Sequence, residues 1–287
     1  MPDSARGNWR NRLTLLAVGL TVLVRAQSAT TPVYDVYAIR FADVAYSVSS
    51  LVAGAERGRS VDLAFMIWLV RDPASARVVL VDAGFYRDKF IQQWHPNHFI
   101  RPSEALSDGL GIAPEAVTDI IVSHTHWDHA DGVDLFPRAR VWIQKDEYDY
   151  YVGDNGEVLH RGGVDVEDAK MLAALKAGGR VELVDGDARE IFPGIRVYTG
   201  GKHTFASQYV GVATRAGTVI LASDNVYLYE NLDKHAAIAQ TLDASSNLAA
   251  QDRMLTLAAS PRLVIPGHDP AVFDRFPVVK PGVVRIE

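Results

Sequence analysis

The 287-residue chain contains no cysteine, which excludes a thiolate metal ligand, a cysteine nucleophile and a disulfide framework together. That absence leaves the compartment open, since a chain of this size can bury a sufficient core without bridges. Positive charge is also scarce: 29 lysines and arginines face 35 carboxylates, for a formal charge of −6. No concentrated basic patch offsets that balance, so phosphate backbones are repelled and nucleic acid is not an expected partner. Short-period repeats and low-complexity tracts are missing too. What remains is an ordinary globular composition, 48% apolar, sized for one large α/β domain or two small ones.

A long apolar run is lacking as well. Leu13 to Val24 is roughly a dozen residues, where a membrane span needs about 20. The run follows Arg6, Arg10 and Arg12 and ends at Val24-Arg25-Ala26 before Gln27, the layout of a secretory signal peptide. Residues 1–26 are therefore expected to be cleaved, leaving 27–287 without a stable membrane anchor, periplasmic or secreted. The removed segment carries four arginines against one aspartate, so the mature chain would stand near −9.

Against these absences stands one dense stretch, Ser123-His124-Thr125-His126-Trp127-Asp128-His129, directly after the apolar run Ile120-Ile121-Val122. Three imidazoles and a carboxylate so close together are rare outside metal sites. A turn leaving a strand here lets His124 and His126 converge on one cation, while Asp128 and His129 point toward a second.

The same arrangement recurs along the chain. Early strands are expected over Tyr34–Phe41, Val61–Val70 and Arg77–Val81, the last ending in Asp82-Ala83-Gly84. Thr118–Val122 feeds the histidine stretch. Later, Ile195–Tyr198 leads to His203, Thr218–Ala222 to Asp224, and Leu263–Ile265 through Pro266-Gly267 to His268. Strands ending repeatedly in a ligand or its support are how an α/β sheet assembles a site at one edge. Helices are expected over 103–111, 145–152, 248–259 and Val166–Ala177, the last with Val166, Met171, Leu172 and Leu175 on one side. The aromatic segment Phe85–Ile100 reads equally as a helix packed on the sheet or as a lid, and His95, His98 and His160 read as ordinary polar groups.

Taken as chemistry, His124, His126 and His203 suit one divalent cation, Asp128, His129 and His268 another, with Asp224 between them. A carboxylate can bridge because each oxygen can hold a separate ion, whereas an imidazole nitrogen serves one. Two such ions share a hydroxide near neutral pH, and that hydroxide is the expected nucleophile. Asp82 is expected to accept from a ligand imidazole and fix its tautomer. Zinc is the expected ion, with iron, cobalt or manganese able to occupy the same positions.

The motif His124-x-His126-x-Asp128-His129, followed in order by His203, Asp224 and Gly267-His268, resembles the metallo-β-lactamase superfamily. The resemblance runs from Tyr34 to about Phe273 and implies an αβ/βα four-layer sandwich, with two mixed sheets, helices outside and a dinuclear site at one edge. The spacing Asp224-Asn225-Val226-Tyr227 resembles the N-acyl-homoserine lactonase branch, which implies that Tyr227 hydrogen-bonds a substrate carbonyl. Two features depart from that branch: Ser207 stands where a second histidine is common, and a signal peptide is unusual. The resemblance implies a metallohydrolase that opens lactones or related carboxyl esters, which the signal-peptide layout makes an exported one, with catalytic roles for Tyr227, steadying the oxyanion, and Asp128, passing a proton to the leaving alkoxide. The Phe85–Ile100 segment, with Met66 and Trp68, is expected to hold an apolar acyl portion, and the reading allows a homodimer. The competing readings are a β-lactamase, for which Asp224 is the wrong bridging residue, a thiolester or phosphodiester hydrolase, and a non-catalytic zinc carrier.

Overall fold

Thirteen strands and eight α-helices carry the chain in a computed structural model that describes Met1 and residues 32–287. The expected signal segment, Met1 apart, lies outside the described residues. In chain order the strands are β1 (Asp35–Ser47), β2 (Ser60–Arg71), β3 (Val78–Val81), β4 (Asp119–Ile121), β5 (Arg140–Gln144), β6 (Val181–Val184), β7 (Arg189–Phe192), β8 (Ile195–Thr199), β9 (Gln208–Thr214), β10 (Gly217–Ser223), β11 (Val264–Pro266), β12 (Val278–Lys280) and β13 (Val283–Ile286). They form an eight-stranded sheet ordered β12-β13-β1-β2-β3-β4-β5-β6 and a five-stranded sheet ordered β11-β10-β9-β8-β7. Both are mixed: β3, β4, β5 and β6 run parallel in the first and β10 and β11 in the second, and the remaining pairs are antiparallel.

The period of two in β2 explains the layering. Ala64, Met66, Trp68 and Val70 point one way and meet Val197, Val210, Val212, Val219, Leu221 and Ile265 of the second sheet. Leu63, Phe65, Ile67 and Leu69 point the other way and meet a helical layer. That layer contains α1 (Asp88–Trp94), α2 (Pro102–Leu110), α3 (Trp127–Ala130), α4 (Lys145–Tyr151) and α5 (Val166–Ala177). After α6 (Tyr229–Asp233), α7 (Ala244–Leu257) closes the outer face of the second sheet through Ala250 and Met254, packed near Tyr198, Ile220 and Val264, and α8 (Val272–Arg275) follows β11. The result is four layers, helix, sheet, sheet and helix, and the described residues from Pro32 on belong to one compact unit. Trp68, fully buried between the sheets, carries enough apolar surface that truncation to alanine would cost about 3–5 kcal/mol.

Two expectations need correction here. Met66 and Trp68 face the inter-sheet core, and the cavity-lining positions of β2 are instead Leu63 and Phe65. In α5, Val166 is exposed, and the buried face consists of Asp168, Ala169, Leu172 and Ala173. Val166 is the first helical residue after the capping Asp165, whose carboxylate accepts from the Glu167 backbone amide, so capping geometry rather than apolar pattern sets its direction. No helix among the described residues is long and apolar enough to cross a membrane.

Candidate metal centre

Strands β3 and β4 are parallel neighbours in the first sheet. In the second sheet β8, β10 and β11 share one direction, because β9 runs antiparallel to both β8 and β10. Their carboxyl ends meet at one edge, where the chain turns deliver the polar side chains. Three of these turns use left-handed backbone at a non-glycine residue, Asp82 at φ 60°, Lys202 at φ 60° and Ser223 at φ 48°. Such conformations persist when the surroundings over-determine them. Here Ser223 donates to Asp82 Oδ2 across 3.0 Å, coupling the two strand ends. Gly267 lets the β11 turn come close, since a Cβ there would sit 2.8 Å from the Ser223 carbonyl group.

Seven side chains converge at this edge in two groups: His124, His126, His203 and Asp224 in one, and Asp128, His129 and His268 in the other. Asp224 faces both. Its Oδ2 lies 3.2 Å from His203 Nε2 and 3.7 Å from His124 Nε2, while its Oδ1 lies 3.0 Å from His129 Nε2 and 2.9 Å from His268 Nε2. Asp128 Oδ2 stands 3.6 Å from His129 Nε2 and 3.7 Å from His268 Nε2.

Each imidazole has one nitrogen anchored outward. His124 Nδ1 meets Ser123 Oγ at 2.9 Å, His126 Nε2 the Gly162 carbonyl at 3.0 Å, and His203 Nδ1 the Gln240 carbonyl at 2.8 Å. His129 Nδ1 meets Asp82 Oδ2 at 2.8 Å, and His268 Nδ1 the Ala64 carbonyl at 3.0 Å. Carbonyl and carboxylate oxygens only accept, and the Ser123 hydroxyl, donating to Asp82 Oδ2 at 2.9 Å, is left to accept too, so in the neutral ring the outer nitrogen carries the hydrogen and the inner one presents a lone pair. Inner nitrogens of His124 and His203 then face His126 Nδ1 at 3.1 and 2.9 Å. Lone pairs at that separation repel unless a cation lies among them.

Electrostatics point the same way. Burial, reinforced by neighbouring histidines, holds His124 well below its ordinary range and brings His126 down to about 3, so both are neutral donors. For His129 burial opposes the charged form, but Asp224, Asp128 and Asp82 outweigh it and push the ring upward. For Asp224 burial works against ionisation, yet His129 and His268 hold the carboxyl well below its usual range. His129 Nε2 and Asp224 Oδ1 are nevertheless buried without a hydrogen-bond partner. Orphaned buried polar atoms are costly. The donor set, with His124 and His126 held neutral, Asp224 held ionised and buried inward-facing atoms left unpartnered, therefore fits a pair of divalent cations.

The site opens into a cavity of about 410 Å³ whose wall includes Leu63, Phe65, Phe90, Trp94, Trp127 and Tyr227. Trp127 stacks on Phe90, at a centroid distance of 4.6 Å, and on Trp94, at 5.3 Å. The Phe85–Ile100 segment thus both packs on the sheet and forms a wall, and it is pinned to β1 by paired backbone bonds between Asn97 and Asp43. Tyr227 is buried, its hydroxyl 3.4 Å from His203 Nδ1, and burial together with Asp224 and Asp128 pushes its phenol well upward. Among the described residues no lysine or arginine lines the cavity. His95 and His98 lie outside the metal cluster, and His98 pairs with Asp43 at 2.9 Å. His160 is at the surface but not without a partner, since it stacks on Tyr150 at 3.8 Å. Ser207 is buried with its hydroxyl 3.3 Å from Asn225 Oδ1, clear of both donor groups.

Three supports of the site carried no readable signal. Glu147 is fully buried on α4 and bonded to the loops that bear His126 and His203. Gln208, at the start of β9, donates to the Val122 carbonyl at 2.7 Å and joins the two sheets beneath the histidines. Ser123 bridges His124 to Asp82. An acidic residue in a charged helix and a glutamine in an apolar strand look like surface positions until the opposing element is known.

A fold of this layering, with this donor order at its edge, defines a class, and residues 66–268 match the family model of the metallo-beta-lactamase superfamily. The chain belongs to that superfamily. Among curated relatives it is 27% identical over 163 residues to an N-acyl homoserine lactonase of Bacillus thuringiensis, covering 56% of this chain and 59% of that protein. It is 26% identical over 166 residues to the human metallo-beta-lactamase domain-containing protein 1, covering 56% and 51%. The matches thus span little more than half the length of these relatives. Among solved structures, a quorum-quenching N-acyl homoserine lactone lactonase superposes with a TM-score of 0.70 at 22% identity, over 89% of this chain and 99% of that one. The dizinc lactonase AidC superposes with a TM-score of 0.63 at 14% identity, over 88% and 90%. These superpositions establish the shared fold.

Proposed function

We propose that this protein is an exported hydrolase, dependent on two divalent metal ions, that opens N-acyl-homoserine-type lactones or related neutral carboxyl esters. The observation that carries the reading is Asp224 presenting one oxygen to each donor group, beside a buried tyrosine and an apolar cavity. His124, His126 and His203 would hold one ion, Asp128, His129 and His268 the other, and Asp224 both. Zinc suits this set of imidazoles and carboxylates, and the dizinc neighbour agrees with that choice. When bound, such a pair supplies Lewis acidity toward a carbonyl oxygen and toward a water molecule.

The chain's own residues supply the rest. Tyr227, kept protonated by its surroundings, donates to the carbonyl oxygen as negative charge develops there. Asp128, on the cavity wall beside His129 and His268, is placed to take up a proton and release it to the departing alkoxide. Phe65, Phe90, Trp94 and Trp127 exclude water and seat the acyl portion. A wall without lysine or arginine offers no side-chain cation for the carboxylate of a β-lactam antibiotic, which favours an uncharged substrate. Export rests on the arginine-led apolar run Leu13 to Val24. The test is turnover of a lactone and of a carbapenem by the same metal-loaded preparation. Hydrolysis of the lactone alone is expected, and a preference for the carbapenem would sink the proposal.

A further inference from the structure

The loops carrying His126 and His203 come from different sheets, and one buried side chain touches both. Glu147 Oε1 accepts from the Thr125 backbone amide at 3.2 Å, between His124 and His126, and Oε2 accepts from the Ala206 backbone amide at 2.7 Å, three residues past His203. The Thr125 hydroxyl, 3.1 Å from Oε1, also reaches the Gly163 carbonyl at 2.7 Å. The neighbouring Gly162 carbonyl anchors His126 Nε2. Tyr151, one turn further along α4, accepts from the Phe205 amide at 3.3 Å. A carboxylate buried completely is expensive unless several donors satisfy it, and here those donors belong to the two chain segments that must meet for the first donor group to exist. Nothing comparable runs from α4 to Asp128, His129 or His268.

We propose that Glu147 is a positioning residue for one half of the metal centre only, clamping the His126 and His203 loops so that their donor group is assembled before a cation arrives. The inference rests on the two-cation reading above. It follows that disturbing Glu147 weakens one cation and spares the other. Glu147→Gln keeps the volume but turns an amide NH₂ toward one of the two backbone N–H groups, so only one loop stays attached.

The probe is cobalt(II), titrated into chelator-treated protein and followed by visible absorption, with elemental analysis for stoichiometry. The parent is expected to take two equivalents. Glu147→Gln is expected to bind one equivalent as the parent does and the other about 10–100-fold more weakly, the usual cost of removing support behind a ligand. The band that weakens should be the one that persists in His268→Ala, which damages the opposite group. Two parent-like equivalents in Glu147→Gln, or equal weakening of both, would overturn the inference. A parent that binds no cobalt would instead sink the metallohydrolase reading and the clamp with it. Hydrogen exchange on the metal-free parent decides the matter even if the variant does not fold: protected Thr125 and Ala206 amides support a preassembled clamp, and fast exchange at both overturns it.

Discussion

His129 and His268 lean on the first sheet, whereas His126 and His203 lean on loops. His129 is anchored to Asp82 at the end of β3 and His268 to the Ala64 carbonyl within β2. His126 and His203 are anchored to the carbonyls of Gly162 and Gln240, neither of which lies in a strand or helix. Strand backbone is already held by its ladder, so the second group inherits rigidity from the fold. Loop backbone is not, and the first group needs cross-links of its own, which Glu147 and Gln208 provide. Two donor groups of similar chemistry can therefore differ in how firmly they are preorganised, with Asp224 and Ser123 as the links between them.

The largest break in that contrast should come from the shared residue. Asp224→Ala removes an oxygen from each group, and both elemental content and lactone turnover are expected to collapse; two tightly held equivalents in this variant would show that the groups do not depend on a common carboxylate. Tyr227→Phe leaves both groups intact and removes only the donor to the developing oxyanion. Turnover should fall by about 10²–10³-fold with metal content unchanged, and a parent-like kcat would remove Tyr227 from the mechanism.

Asp82→Asn sharpens the comparison. It strikes His129 directly and His124 only through Ser123, so metal affinity should drop about 10–100-fold with the second group weakened more. Equal loss at both would mean that sheet anchorage confers no advantage. The smallest effect is expected behind the second group, at Asp168, which is buried beside Arg87 and Asp131. Burial, with Asp131 adding to it, pushes this carboxyl up to about 9. A folded pKa above the unfolded value of about 3.9 means the native state keeps a proton that the unfolded chain has lost, so stability declines as pH rises between those values. Asp168→Asn should remove that decline, melting closest to the parent near pH 4 and gaining relative stability by pH 8.5, with metal content unchanged. A relative loss that grows with pH would show instead that Asp168 is ionised and paired with Arg87.

Much of the centre was readable because metal ligands are chemically conspicuous and strand ends announce themselves. Three imidazoles within six positions after Ile120-Ile121-Val122 need no partner element to be noticed, and Asp82, Asp224 and His268 each follow an apolar run. The cavity wall was read with the wrong parity: Val61–Val70 is apolar on both faces, so its pattern cannot say whether Phe65 or Met66 meets the cavity. That choice belongs to the second sheet, which covers Met66 and Trp68. β9 went unread, although its Gln208 ties the sheets together.

The order and spacing of His124, His126, Asp128, His129, His203, Asp224 and His268 determined the superfamily and the kind of site, because ligand chemistry is a property of side chains and their sequence neighbours. Which nitrogen of each ring faces inward, which residues on β2 line the cavity, and that Glu147 and Gln208 brace the centre were decided only by the tertiary structure. Those facts depend on the partner across a gap between elements distant in the chain, and burial and hydrogen bonding at such contacts leave no periodicity in the residues that make them.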